Sequence, residues 1–124
     1  MNWRDECYAP EVGTCLANLD DLHEGRVREA IYGEGKNAFR ILLLKEGGQA
    51  KAYWNRCPHF GVPLNTEPGK FIMLPKGQVM CAIHCSVFNL ADGQCVDGPV
   101  KGDHLTKIAL EVDEKGEICI GNDS

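Results

Sequence analysis

The chain has 124 residues, of which 44% are hydrophobic and 25% are charged, the size and composition of one modest globular domain. Thirteen basic and 18 acidic residues give a net charge of −5 without a lysine or arginine cluster, which argues against a nucleic-acid-binding surface. The longest apolar run, 41–44, is far shorter than the roughly 20 residues of a membrane span. The N-terminus has no signal-peptide pattern. We therefore expect a cytoplasmic protein that binds neither membranes nor nucleic acid.

Glycine and proline account for 14 and 6 residues, which predicts many turns and short elements and favours a β-rich fold. Residues 1–13 show no clear periodicity and are predicted to form an extended N-terminal arm that docks through its aromatic side chains. After a helical turn at 19–25, short alternating or apolar runs separated by turn residues indicate hairpins. Including one strand before that turn, the predicted strands cover 14–17, 27–32, 38–44, 50–54, 71–74, 78–80, 87–90, 94–96, 105–112 and 117–120.

Two short motifs each combine one thiol with one imidazole: Cys57-Pro58-His59 and Cys81-Ala82-Ile83-His84. Thiolate and imidazole are ligands for zinc and for iron. Two of each would satisfy a tetrahedral zinc ion, or a [2Fe–2S] centre in which two histidines replace two cysteines on one iron. Zinc fingers with two cysteines and two histidines usually group like ligands along the chain. Here each loop supplies one of each, which favours the two-iron centre.

The pattern Cys-x-His followed by Cys-x-x-His resembles the signature of Rieske-type iron–sulfur proteins, and the similarity covers roughly residues 14–120. Residues 57–61 resemble the first cluster loop of that family, and residues 81–88 resemble the second. Residues 93–99 resemble the turn and proline loop that cover the cluster. The resemblance implies one domain over 1–124, an antiparallel β-sandwich with a cluster-binding subdomain of two loops at 55–100.

The resemblance also implies the roles of individual residues. Cys57 and Cys81 would hold the buried iron of a [2Fe–2S] cluster, and His59 and His84 the outer iron near the surface. The residues implied to surround the cluster are Gly61, Cys85, Ser86, Phe88, Gly98 and Pro99.

Several positions depart from the Rieske domains of cytochrome-bc complexes. Val62 and Ile83 stand where those proteins carry two cysteines, so a disulfide beside the cluster cannot form. Cys85 replaces the usual glycine and is not expected to be a ligand. Ser86 keeps a serine donor, whereas Phe88 lacks the tyrosine hydroxyl. Hydrogen bonds to cluster sulfur raise the reduction potential, so we expect the low-to-middle part of roughly −150 to +300 mV.

The other cysteines and histidines have no ligand spacing. The odd count of seven cysteines and the missing signal argue against a disulfide framework. Four are therefore predicted to be packing thiols, and the two remaining histidines to be surface residues. A catalytic cysteine–histidine pair is disfavoured, because a hydrolase needs one nucleophile and an orienting group rather than a duplicated pair. The packing thiols are Cys7, Cys15, Cys119 and Cys95, and the surface histidines are His23 and His104. Cys95 flanks the covering loop, so shielding of the cluster is the alternative to packing there.

We expect a one-electron carrier rather than a stand-alone enzyme, because neither a substrate motif nor a second cofactor motif is evident. By analogy with the Rieske family, the protein would be a ferredoxin that passes electrons from a flavoprotein reductase to a terminal oxygenase. One alternative is an accessory subunit of a larger oxidoreductase, similar to the small subunit of nitrite reductase. The other is a structural zinc module built from the same four ligands.

Overall fold

The computed structural model describes residues 3–58 and 61–122, and the chain divides into two compact units. The scaffold unit runs up to Trp54 and resumes at Lys107, and the ligand-loop unit comprises Asn55–Thr106. The described residues form ten strands and three short 3-10 helices, and every sheet is antiparallel. The predicted all-β antiparallel class is thus confirmed. No helix among these residues is long and apolar enough to cross a membrane.

The strands form three sheets. In the scaffold unit, one sheet has the order β1-β10-β9 and another the order β2-β3-β4. In the ligand-loop unit, four strands pair in the order β5-β6-β7-β8. The strand bounds are β1 Cys15–Asn18, β2 Val27–Tyr32, β3 Phe39–Glu46, β4 Gln49–Trp54, β5 Ile72–Leu74, β6 Gln78–Met80, β7 Val87–Asn89, β8 Cys95–Asp97, β9 Leu110–Val112 and β10 Glu117–Ile120.

The strand predicted at 105–112 is regular only over β9. Lys107 instead forms an isolated bridge with Tyr53, and the Ile108 N–H donates to the Ala52 carbonyl at 2.9 Å. The first part of the segment therefore bonds to β4 before the chain turns to pair with β10. Sequence alternation alone does not reveal such a change of partner.

An aromatic cluster closes the core of the scaffold unit. The segment before β1, predicted to be an extended arm, begins with a 3-10 helix at Trp3–Asp5, and Trp3 is fully buried. The Trp3 ring lies 5.6 Å from the Phe39 ring, which stacks on Trp54 at 5.4 Å between centroids. Offset aromatic pairs at such distances stabilise a core beyond their buried area. The remaining buried members of this core are Leu22, Ile41, Leu43, Ala52, Ile108, Ile118 and Ile120.

Two predictions about the cysteines are wrong: Cys7, expected to be a packing thiol, is exposed, and the second error is a missed disulfide. Cys15 and Cys119 form a disulfide between β1 and β10, although both were expected to be packing thiols. The two residues are direct register partners but lie 104 positions apart in sequence. Their pairing depends on which strands meet and in which register, so neither the odd cysteine count nor local spacing could show it.

Candidate metal centre

The first ligand loop closes on its own cysteine through two backbone hydrogen bonds. The Cys57 N–H donates to the Val62 carbonyl at 2.7 Å, and the Gly61 N–H donates to the Cys57 carbonyl at 2.9 Å. Gly61 has φ +70°, a left-handed conformation that glycine adopts at little cost. The Cys57 thiol is fully buried and not in a disulfide. The other predicted ligand of this loop, His59, lies outside the described residues.

The second ligand loop repeats this geometry at the same relative positions. The Cys81 N–H donates to the Ser86 carbonyl at 2.8 Å, and the Cys85 N–H donates to the Cys81 carbonyl at 3.0 Å. Cys81 is also fully buried and not in a disulfide. Cys85 occupies the place of Gly61 and has φ +60°, a conformation that costs a non-glycine residue roughly 1–2 kcal/mol. This backbone angle is a physical reason for the glycine that the Rieske resemblance implies at this position.

Buried amide side chains hold the first ligand loop, and a backbone hydrogen bond links that loop to the second, features that the sequence reasoning missed. The Asn55 Oδ1 accepts from the Leu64 N–H at 2.9 Å, and the Leu64 carbonyl accepts from the Ala82 N–H at 2.8 Å. The Asn55 Nδ2 donates to the Asn65 Oδ1 at 2.7 Å, and the Asn65 Nδ2 donates to the Glu67 carbonyl at 2.8 Å. Asparagines at both ends of a ligand loop were the available signal.

Ser86 presents a buried hydroxyl that needs an acceptor. Its side chain is fully buried, and its Oγ has no hydrogen-bond partner among the residues that the structure describes. A buried hydroxyl left unsatisfied costs roughly 1–3 kcal/mol, so a bound group that accepts from it would relieve this cost. Phe88, two residues further on, is equally buried and contributes no hydroxyl.

The proline loop packs directly against Ser86. Gly98 has φ +100°, and a Cβ added there would lie 2.7 Å from the Ser86 Cα and 3.0 Å from its Oγ. No real Cβ makes the first of these contacts, so only glycine fits without a shift of backbone. Pro99, which follows, is exposed. The loop therefore covers the serine through its glycine.

His84 lies less deeply than the two cysteines. The residue is half-buried with its Nδ1 atom buried, and the adjacent Ile83 is 52% exposed. The second ligand loop therefore carries its thiol in the interior and its imidazole close to solvent. This is the arrangement that the Rieske resemblance implies for inner and outer ligands.

Cys95 is a further buried thiol of this unit, and it donates a hydrogen bond to the backbone. Its Sγ donates to the Asp97 carbonyl at 3.2 Å. Burial raises the pKa of the Cys95 thiol, and a negative charge on Cys57 would raise it further. Cys95 therefore remains a protonated thiol near neutral pH, as a packing residue would.

The donor set of this unit fits an iron–sulfur cluster. Two buried thiols not in disulfides, Cys57 and Cys81, are soft ligands that bind iron as thiolates. The half-buried His84 would supply an imidazole, and the buried Ser86 hydroxyl would be available to donate to a cluster sulfide. A cluster bound there supplies a one-electron redox couple. Together these features define an iron–sulfur electron-transfer domain.

Comparison with known protein families identifies the type of iron–sulfur domain. A family model for the Rieske [2Fe-2S] domain matches residues 13–111. The chain belongs to the Rieske [2Fe-2S] domain family, and its cofactor is a Rieske-type [2Fe–2S] cluster. The resemblance drawn from the two cysteine–histidine motifs is confirmed.

Two curated relatives are similar over most of the chain. Apoptosis-inducing factor 3 of Mus musculus is 33% identical over 109 residues, which is 88% of this chain. The human protein of the same name is 32% identical over 104 residues, or 84% of this chain. The chain spans only 16% of the length of either relative.

Solved structures share the fold. The ferredoxin of carbazole 1,9a-dioxygenase from Nocardioides aromaticivorans IC177 superposes with a TM-score of 0.63 at 17% identity, covering 91% of this chain and 100% of that one. The terminal oxygenase of the same system gives a TM-score of 0.67 at 22% identity, covering 98% of this chain and 33% of the oxygenase chain. At these identities the likeness shows the fold alone.

Gly98→Ala should loosen the proline loop, because its methyl group meets the backbone of Ser86. Gly102→Ala is the matched control, since Gly102 has nearly the same φ of +98° but nothing within 4 Å of an added Cβ. We expect the control to lose about 1 kcal/mol of unfolding free energy from its backbone conformation, and Gly98→Ala to lose a further ~1–3 kcal/mol by overpacking. Urea unfolding and the half-life of the visible cluster absorbance under an iron chelator measure both effects. Equal losses in the two variants would contradict the packing described.

Ser86→Ala should lower the reduction potential. A hydroxyl that donates to cluster sulfur stabilises the reduced state, so its removal shifts the couple to more negative values, by several tens of mV if about 1 kcal/mol of differential stabilisation is lost. Protein-film voltammetry of the cluster-loaded variant measures the shift. Thr66→Ala, at an exposed position in the same unit, is the control and should leave the potential unchanged. An unchanged or raised potential in Ser86→Ala would show that the hydroxyl does not donate to the cluster.

Proposed function

We propose that this chain is a ferredoxin-type carrier that passes single electrons from a flavoprotein reductase to a terminal oxygenase in the cytoplasm. Family membership establishes an electron-transferring Rieske domain and does not by itself name the partners. The observation that supports the role of a ferredoxin is the shared fold with a ferredoxin from a dioxygenase system. Solved complexes of a carbazole 1,9a-dioxygenase oxygenase with its ferredoxin also contain the fold, which supports a redox protein as partner.

The ligand assignment is part of this proposal. Cys57 and Cys81 hold the inner iron, since both thiols are fully buried in loops of the same backbone geometry. His84, together with His59, holds the outer iron, and the electron leaves on the imidazole side. The half-buried position of His84 and the exposure of Ile83 beside it support that direction.

The charge distribution indicates how a partner would be recognised. Residues 55–106 carry four basic and four acidic side chains, so the formal charge of the ligand-loop unit cancels and the net −5 belongs to the scaffold unit. Among the residues of this unit that the structure describes, the exposed large hydrophobic side chains are Ile72, Met73 and Ile83. Apolar contact around Ile83, rather than attraction between opposite charges, is the better account of docking at the histidine side.

An accessory role in a larger assembly is the second candidate. The curated relatives favour it, because in each of them the matching region is a small part of a longer chain. In that case the reductase, the acceptor or both would belong to the same polypeptide or complex.

The metal content of the purified protein tests the ligand assignment. Anaerobic preparations should be red-brown, contain two irons per chain and show a reduced-state EPR signal of low average g. Cys81→Ser should lose the cluster, because it removes one of two thiolates on the inner iron. Cys7→Ser changes an exposed cysteine not in a disulfide and should retain the cluster. A colourless protein with one zinc per chain that is lost in Cys81→Ser would overturn the assignment in favour of a structural zinc module.

The size of the native species separates the two functional candidates. An antibody against this chain should detect a free protein near 13.7 kDa in native extract after size exclusion. The ferredoxin proposal also expects that reduced protein passes its electron to a terminal oxygenase more slowly when Ile83 is changed to Gln. Val112→Gln, at a similarly exposed residue of the scaffold unit, should not slow transfer. Detection only within a longer chain or a stable large complex would favour the accessory role.

A further inference from the structure

A second group of metal-binding side chains lies in the scaffold unit. The Sγ atoms of Cys15 and Cys119 and a carboxylate oxygen of Glu117 all lie within 4.8 Å of one another. Within residues 3–58 and 61–122, no other three cysteine, histidine or acidic side chains come so close. All three residues belong to the β1–β10 pair, and none lies in the ligand-loop unit.

The strand register places the three side chains on one face of the sheet. Cys15 is directly opposite Cys119, and Glu117 precedes Cys119 by two residues on β10. Residues two apart on a strand point to the same face, while the intervening Ile118 points to the other and is fully buried. Cys15 and Glu117 are exposed and Cys119 is half-buried. A cation could therefore reach the group from solvent.

We propose that the Cys15–Cys119 pair is a redox-gated binding site for one thiophilic divalent cation such as Zn²⁺, with Glu117 as the third protein ligand. In the disulfide state the two sulfurs are bonded to each other and offer no thiolate. A dithiol reductant breaks the S–S bond by exchange, so the pair gains two electrons and two protons and the reductant becomes a disulfide. Binding of the cation then releases the two thiol protons.

The ligand set suits zinc. Two thiolates and one carboxylate match its preferred donors, and a water molecule would complete the tetrahedron on the exposed side. The surrounding charge also favours a cation. Glu111 is the register partner of Cys119 on β9, so a second carboxylate flanks the pair. Thiolates next to carboxylates repel one another, and a bound cation removes that cost. The proposal is independent of the function assigned to the cluster.

Zinc binding by cluster-loaded protein tests the proposal. The protein is reduced with a phosphine, freed of reductant under nitrogen and titrated with Zn²⁺ against a chromophoric chelator, while constant visible absorbance shows that the cluster stays intact. We expect one zinc per chain after reduction and none at this site in the oxidised protein. Glu117→Gln should weaken binding about tenfold or more, at least the loss typical of removing outer-shell partners. Glu111→Gln is the matched control, since Glu111 is not one of the three ligands, and should weaken binding far less.

The cysteines outside the pair provide the remaining control. The double variant Cys15→Ser/Cys119→Ser keeps Cys7 and Cys85, both exposed, and should lose the site. Reduced wild type alkylated with N-ethylmaleimide should also fail to bind zinc, but because the reagent modifies Cys7 and Cys85 as well, the double variant is the control that assigns the site. Zinc uptake that is equal in reduced wild type and the double variant, or absent from the reduced wild type, would overturn the proposal. So would a Glu117→Gln affinity equal to that of wild type.

Discussion

The structure of the ligand-loop unit depends on the closure of each ligand loop around its own cysteine. In both loops the cysteine N–H bonds to the carbonyl five residues later, and its carbonyl accepts the N–H four residues later. These two hydrogen bonds hold the backbone of Cys57 and of Cys81 without the help of a bound metal. Each thiol is thereby held in the interior. The other contacts within the unit keep the two loops next to each other.

The relative position of the two loops is set by groups that are not predicted ligands. The Leu64 carbonyl accepts the Ala82 N–H, so a backbone bond links the loops, and the Asn55 amide holds Leu64 in place. On the other side, Gly98 lies against Ser86 so closely that no side chain fits between them. Buried amides and a glycine contact are rigid in a way that long flexible side chains are not. Rigid surroundings keep the environment of a cluster the same in its two redox states. The reorganisation energy of electron transfer is then small.

The sequence predicted much of this and missed the rest for identifiable reasons. Strands were predicted well where alternation and turn residues are local, as in β2 to β4, and the cysteine–histidine motifs marked the two loops. The Asn55–Asn65 pair was missed because asparagines at the two ends of a loop, although visible in the sequence, are equally typical of turns. The Cys15–Cys119 disulfide was missed because its partners are remote in sequence and a bulge between Cys15 and Ala17 sets their register. Non-local pairing of this kind becomes visible only once the sheet order is known.

Charge balance and hydrogen bonding together indicate what controls the potential of this domain. Reduction adds one negative charge, which nearby carboxylates would oppose. The ligand-loop unit carries equal numbers of acidic and basic residues, and at physiological ionic strength exposed charges are screened beyond about 8 Å. A buried hydrogen-bond donor is screened much less than exposed charges are. On the proposed ligand assignment Ser86 would be such a donor, and Phe88 stands where the resemblance places a second one in the cytochrome-bc proteins. On the proposed ligand assignment, that hydroxyl would raise the potential, and the position of Ser86 in turn depends on the glycine packed against it.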